Sequence, residues 1–460
     1  MPPETLDSLD KNSLKPLVLQ LLARIDALLE QNKSLLARIT ELEARNGQPP
    51  KTPDNSSLPP SRGQKSNAAP SRKKTRKGRP GVARTLTDNP DVVRDLAPEV
   101  CACGSALSAA DLTGTFAYDH IDLPPIRPVV TRVRLAKGRC PCCARRVTAT
   151  PPADMKPGSP FGPGIVALVT YLHACQMVSY SRLTEMLEGL FGLKLSEGAI
   201  ANMLARAETP FAHRADAIAA TVRASEVIAS DETSARVCGK TQWQWTFVAP
   251  TAVYHRIAPT RGKCVPTEFL DSAKPKVWTS DRLAAQGRHA AAHQYCLAHL
   301  LRDAQYAIDA GDDVFAPAFK AFLKDACAVG RRRPKLADAT IKDHARRLDR
   351  ELDRVLALEP SQKDGRHLRD TIFVDARDRL LVFLSRRDVE PTNNASERAL
   401  RMSVLFRKVT NGFRSAWGAK VYADICSVVA TAKLAGQSAF AAIRDALARP
   451  AAACWGQRTQ

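Results

Sequence analysis

Val227-Ile-Ala-Ser-Asp231 is a short apolar run that ends in a carboxylate, and Lys276-Val-Trp-Thr-Ser-Asp281 repeats the theme further along. Each reads as a strand with an acid at its carboxyl end. Between them, Gln242-Trp-Gln-Trp-Thr-Phe-Val248 and Ala252-Val-Tyr-His-Arg-Ile257 alternate in polarity, the period-2 mark of half-buried strands. His293-Gln-Tyr-Cys296 reads as one more strand and runs into a helix over Leu297–Ile308. Ligands of open α/β sheets gather at the carboxyl ends of the strands. Two acids at equivalent ends of neighbouring strands can therefore converge on one divalent ion.

Three consecutive strands, a helix and a strand bearing a second acid is the order of an RNase H-like α/β core, read here over residues 225–298 and resumed over 391–446. Residues 299–390 are helical and Arg-rich and read as an insertion between the two parts. After it comes Pro391-Thr-Asn-Asn-Ala-Ser-Glu397-Arg-Ala-Leu-Arg401. Asn394 or Ser396 can cap a helix there, which puts Glu397 in or near its first turn. Arg398 and Arg401 are placed to meet phosphate oxygens.

Phosphodiester hydrolysis and transesterification build negative charge on the attacking and leaving oxygens, and two Mg²⁺ (or Mn²⁺) ions about 3.5–4 Å apart stabilise both. Mg²⁺ takes oxygen ligands and keeps several waters, so a few carboxylates suffice. Asp231, Asp281 and Glu397 are the catalytic and metal-ligating candidates. Asp271 and Asp303 compete with Asp281, which is preferred because it alone ends an apolar run. Glu232 is expected to point away from Asp231, because strand neighbours alternate. Trp243 and Trp245 share one face of a strand and are read as core. His299 and Arg302 share a helix face, with His299 read as a structural hydrogen-bonding residue ahead of a metal ligand.

The rest of the chain points to a polyanionic partner. Its 460 residues carry 68 Lys+Arg against 47 Asp+Glu, a formal charge of +21, and a chain this basic meets nucleic acid most readily. Residues 12–46 form a coiled-coil helix for self-association: Leu14, Leu21, Leu28, Leu35 and Leu42 fall at d, and Val18, Ile25, Asn32 and Ile39 at a. Pro16 is expected at the helix start. Residues 47–95 are rich in Pro, Ser and Gly and read as a disordered basic arm that tracks DNA phosphates through Arg72, Lys73, Lys74, Arg76, Lys77 and Arg79. Within it, Lys77-Gly78-Arg79-Pro80 resembles a minor-groove hook.

Residues 96–150 read as a small zinc-finger domain. Cys101 and Cys103 precede an alternating strand over Pro128–Leu135, and Cys140 and Cys143 follow it, a four-thiolate structural Zn²⁺ set whose first pair is C-x-C, one residue short of the usual knuckle. Residues 160–224 are helical. Ser181–Leu190 and Ser196–Ala205 have the outline of a helix-turn-helix, and a bracing hairpin is the preferred reading. Residues 447–460 are a tail. The whole is thus a multidomain α+β chain. No long apolar run or secretory leader is evident, so a cytoplasmic site without membrane contact is expected.

Several blocks resemble the insertion-sequence-66 transposase family: Ser230-Asp-Glu-Thr233, Trp243-Gln-Trp245, Pro259-Thr-Arg-Gly262, His293-Gln-Tyr-Cys-Leu-Ala-His-Leu-Leu-Arg302, Pro391–Arg401, and upstream Phe161-Gly-Pro-Gly164 with Leu195-Ser-Glu-Gly-Ala-Ile200. The order of coiled coil, basic linker, zinc finger and catalytic domain is similar too. The resemblance implies a D-D-E transposase that binds the terminal inverted repeats of a mobile element and performs metal-dependent strand cleavage and transfer. It also implies a bacterial, nucleoid-associated setting and small accessory proteins of the same element. The Trp278–Arg282 block departs from the family pattern. The alternative reading is a DNA-binding regulator with an inactive RNase H-like core.

Overall fold

The computed structural model describes residues 11–45, 49–56, 58, 84–152, 155 and 157–448. In chain order its elements are α1 (Lys11–Arg45), β1 (Lys137–Arg139), β2 (Arg146–Thr148), α2 (Pro163–Thr170), α3 (Tyr180–Phe191), α4 (Glu197–Arg206) and α5 (Glu208–Arg223). Then follow β3 (Val227–Val237), β4 (Lys240–Val248), β5 (Val253–Ala258), α6 (Cys264–Leu270), β6 (Val277–Ser280) and β7 (Ala292–Tyr295). The chain continues through α7 (Leu297–Asp309), α8 (Phe315–Arg332), α9 (Asp338–Leu356), α10 (Lys363–Thr371), α11 (Asn394–Thr410), α12 (Ala416–Leu434) and α13 (Ala439–Ala448). The smaller of two compact units is Lys65–Thr150 with Thr184–Ser196, and the rest of the chain forms the larger.

The larger unit is built on a mixed sheet of order β5-β4-β3-β6-β7, five strands among the described residues. β3, β4 and β5 run antiparallel, whereas β6 and β7 join parallel to β3. This mixed α/β architecture fits an RNase H-like domain. Side-chain alternation divides two cores. Val227 and Val277 point into a cluster with Leu297, Phe319 and Phe322, while Ile228 and Trp278 point the other way, into one with Trp245, Phe247 and Phe269. Trp245 is fully buried, in keeping with its reading as core.

Both sheet edges are covered, as exposed ladders invite mispairing. On β5, Val253 N–H donates to Thr431 Oγ1 (3.0 Å) and His255 N–H to Ser427 Oγ (2.8 Å), so hydroxyls of α12 replace a missing strand. At β7, the buried Gln294 amide donates to Leu380 O (2.9 Å) and accepts from Phe383 N–H (2.9 Å).

β3 runs on past Asp231 to Val237, so this acid lies mid-strand and not at a strand end as expected. The reason is pairing: the parallel ladder to β6 stops at Ala229↔Thr279, while the antiparallel ladder to β4 continues to Val237↔Lys240. β3 also meets the turn after α11, where Phe413 N–H donates to Arg236 O (2.7 Å). Gly412 makes this approach possible: its φ is +109°, and a Cβ there would sit 2.4 Å from Arg236 O.

Between α7 and α11 the chain is helical, around the core of Phe315, Phe319, Phe322, Leu348 and Leu352. Arg333 belongs to this scaffold. Its buried guanidinium donates to the carbonyls of Phe383, Arg386, Val389 and Arg387. The two ends of the insertion close together, with Leu297 N–H donating to Pro391 O at 3.0 Å.

Two N-terminal features refine the sequence reading. Pro16 lies inside α1, beyond its first turn, so the helix gives up one ladder bond. The apolar a and d positions Val18, Leu21, Ile25, Leu28, Leu35 and Ile39 remain 47–54% exposed. Within the expected arm, Asn55 is buried: its Nδ2 donates to Asp309 Oδ2 (2.8 Å) at the end of α7, and its Oδ1 accepts from Thr52 N–H (2.6 Å). Arg72, Lys73, Lys74, Arg76, Lys77 and Arg79, and with them the Lys77–Pro80 hook, lie outside the described residues. In α4, Ile200, Met203 and Leu204 are buried, a face spent on packing.

In the smaller unit the expected strand over Pro128–Leu135 does not form; Val129 and Val130 are more than 90% exposed. Without a partner strand and a covering layer, alternation alone buries nothing. The hairpin is β1–β2 instead, with register Lys137↔Thr148.

Candidate active site

Asp231 stands on β3 two residues past Ala229, the last residue that pairs with β6, and Asp281 follows the last residue of β6. Their carboxylate oxygens, with those of Glu232, lie within 4.8 Å of one another. Asp271 and Asp303 are not in that group. Asp271 caps the end of α6 with a positive φ (+53°), and Asp303 pairs with Arg282 at 2.6 Å.

Glu232 is the residue that the sequence reading misplaced. The backbone does alternate, yet its carboxylate returns to the acids. The loops after β5 and β6 hold it: Arg261 reaches Oε1 at 2.6 Å and Gln286 Nε2 donates to Oε2 at 2.7 Å. Arg261 also lies over the Trp243 ring, 4.9 Å from its centroid, and Trp245 Nε1 donates to Thr260 O (3.2 Å). The Pro259–Gly262 block is thus the support of the first acid's neighbour.

The third acid arrives from α11. Glu397 is in the first turn, as expected, but the cap position belongs to Asn393, which forms no side-chain cap bond. Its Nδ2 donates to Ser230 O (2.8 Å), and its backbone N–H reaches Cys296 Sγ at 3.1 Å. One residue therefore pins the α11 start to β3, beside Asp231, and to the start of α7. Glu397 Oε1 lies 4.0 Å from His299 Nδ1. Cys296, His299 and Glu397 form a second group with ligand atoms within 4.8 Å.

The electrostatics follow from the crowding. Loss of hydration first, then the charges of Glu232 and Asp281, push Asp231 well above the usual carboxylate range, and Glu397 adds to the push. Burial and Asp281 raise Glu232, with Arg261 and Gln286 opposing. His299 is lowered by burial and then by Arg302. An all-oxygen acid cluster with proton affinity this high suits a hard divalent cation, which replaces the protons and cancels the repulsion. Asp231, Glu232 and Asp281 suit a hard divalent cation in this sense, while Glu397 falls in the other group, with Cys296 and His299.

Arg282, the residue after Asp281, lines a cavity of about 590 Å³ together with Lys263, Arg288 and Arg379 and the single acid Asp375; Asp281 itself is not in its lining. Sequence reasoning missed these cations, because they come from separate segments. Arg398 and Arg401 are exposed on α11.

The four candidate zinc ligands sit in two tight turns. Gly104 N–H donates to Cys101 O (2.8 Å) and Ala144 N–H to Cys140 O (2.9 Å), with Gly104 and Ala144 both at positive φ. Hydrogen bonds from Ser105 bring the Cys103 thiol down to about 7, and those from Cys143 and Cys142 lower Cys140. Cys101, Cys103, Cys140 and Cys143 are not among the groups gathered within 4.8 Å.

Residues 158–421, more than half of the chain, match the family described as Transposase IS66 family. The matched span holds Asp231, Asp281, Glu397, Cys296 and His299, and leaves out α1 and the cysteine turns. None of the curated proteins matches the chain. Among the described residues no helix is long and apolar enough to cross a membrane.

Proposed function

This chain belongs to the IS66 transposase family, and on that premise we propose that it cuts the ends of a mobile DNA element and joins them to target DNA at Asp231, Asp281 and Glu397. The supporting observation is the convergence of Asp231 and Asp281, with Glu397 near enough for its charge to raise Asp231. Mg²⁺ or Mn²⁺ ions held by these three acids, two per centre, supply charge neutralisation and Lewis acidity to the scissile phosphate.

In cleavage, water attacks the phosphorus, the P–O3′ bond breaks, and a 3′-hydroxyl and a 5′-phosphate remain. In joining, that 3′-hydroxyl attacks a target phosphorus, loses its proton to solvent and displaces a 3′-oxygen. No protein nucleophile takes part. Glu232, tied to Arg261 and Gln286, positions the acids. Lys263, Arg282, Arg288 and Arg379 bind phosphates beside Asp281, and Arg398 and Arg401 extend that track along α11.

The remaining parts serve assembly. The segment with Arg72, Lys73, Lys74, Arg76, Lys77 and Arg79 adds sequence-independent phosphate binding. Cys101, Cys103, Cys140 and Cys143 hold a structural Zn²⁺; the paired turns and lowered thiols support this. α1 pairs two copies through its exposed heptad stripe, so that both element ends meet in one complex. Small accessory proteins of the element are further partners, in the bacterial nucleoid.

The test is substitution with separate readouts. Asp231→Ala, Asp281→Ala and Glu397→Ala are each expected to lower cleavage and transfer by about 10²–10³-fold or more, the scale of removing one preorganised electrostatic partner of the transition state. Binding of element-end DNA should persist in all three. Full activity in any variant removes that residue from the centre. End binding without divalent-dependent cleavage in the parent chain would favour a regulator instead.

A further inference from the structure

Cys296 follows β7 and forms the N-terminal cap position of α7, and His299 lies three residues on, in the first turn. Across from them Glu397 occupies the first turn of α11. Sγ of Cys296, a ring nitrogen of His299 and a carboxylate oxygen of Glu397 lie within 4.8 Å of one another. These donors differ in kind from the oxygen-only set of Asp231, Glu232 and Asp281.

We propose that Cys296, His299 and Glu397 form a binding site for a borderline-soft divalent cation of the Zn²⁺ class, distinct from the hard-metal acid cluster and sharing Glu397 with it. Thiolate, imidazole and carboxylate are the donors that zinc takes, three of them leaving a fourth position open. The site is built for a ligand rather than for packing. His299 Nδ1 is buried without a hydrogen-bond partner and faces Glu397 at a distance too long for a direct bond, 4.0 Å. Cys296 Sγ accepts the Asn393 N–H at 3.1 Å and sits at the N-terminal end of α7, so its sulfur is fixed in place facing His299 and Glu397. Tetrahedral zinc with Zn–N near 2.0 Å and Zn–S near 2.3 Å sets its ligand atoms about 3.3–3.5 Å apart, so the group needs only to close slightly.

The proposal rests on the functional reading only through the shared Glu397; metal binding by these residues does not need an active centre. Occupancy of either set changes the donors left to the other.

The test is Co²⁺ titration of the full-length chain, read by sulfur-to-cobalt charge-transfer absorption in the near ultraviolet. Cysteines 101, 103, 140 and 143 contribute to the same band, so the readout is the difference between parent and variants. Cys296→Ser is expected to remove one component of the band. His299→Ala and Glu397→Gln should weaken the Co²⁺ affinity of that component about tenfold or more, since loss of even an indirect support costs 10–100-fold. Asp231→Asn should leave it intact. Should Cys296→Ser fail to fold, as judged by circular dichroism, the His299 and Glu397 variants decide alone. A Cys296→Ser spectrum equal to the parent's overturns the site, as does an unchanged affinity in both other variants. Loss of the component in Asp231→Asn would place the ion in the acid cluster and also overturn it. Failure of DNA cleavage with the cobalt component present counts against the functional reading and leaves this site standing.

Discussion

Asp231 shows how one side chain reports on its surroundings. Its proton is held well above the usual carboxylate range, first by lost hydration and then by Glu232 and Asp281. The unfolded chain releases that proton near pH 4. A raised folded pKa therefore adds nothing below that pH; the folded state loses stability as pH rises from about 4 to the folded pKa and stays lowered above it. Asp231→Asn removes the charge. The metal-free variant is expected to melt above the parent at pH 8, by about 2–4 °C for each kcal/mol of relief, and to match it near pH 4. Added Mg²⁺ or Mn²⁺ should raise the parent's melting temperature and do so less for the variant. Melting curves across pH check both; parallel profiles in the two proteins would remove the repulsion from the account. The apolar run before it marked this acid in the sequence, though as a strand end and not as the mid-strand residue it is. Glu232 was not, because alternation predicts where Cβ points and not where a long side chain ends once Arg261 and Gln286 hold it.

At the scale of elements, the edge of β5 is closed by α12 and not by another strand. Ser427 and Thr431 stand four residues apart, on one helix face, and accept the N–H groups of His255 and Val253. Ser427→Ala with Thr431→Val leaves two buried donors without acceptors. The expected loss is about 1–3 kcal/mol for each, read from urea denaturation, with far-ultraviolet circular dichroism unchanged. A loss under about 0.5 kcal/mol in total would mean that water replaces both hydroxyls. β3 to β7 were legible as strands because alternation and apolar runs mark them. The Pro128–Leu135 alternation is equally regular and yields no strand, because a strand also needs a partner, and β1 and β2 pair with each other.

For the whole molecule, charge is the long-range property. A net charge of +21 predicts DNA affinity that falls steeply with salt. Neutralising Arg72, Lys73, Lys74, Arg76, Lys77 and Arg79 to Gln together is expected to flatten the slope of log K against log salt by about 0.9 for each DNA phosphate that the variant leaves unneutralised, while short-substrate cleavage at saturating DNA persists. Fluorescence anisotropy over a salt series measures it; an unchanged slope would take the segment off the DNA. The amino-acid order by itself determined the strand sequence, the three acid candidates, the heptad helix and the basic charge, since these rest on local periodicity and composition. The sequence preferred Asp281 to Asp271 and Asp303, but only the tertiary structure put it beside Asp231, brought Glu232 back to them, and joined Cys296 and His299 to Glu397. Those pairings span loops and a helical insertion whose ends meet only when the chain folds, and no local pattern encodes a distance of that kind.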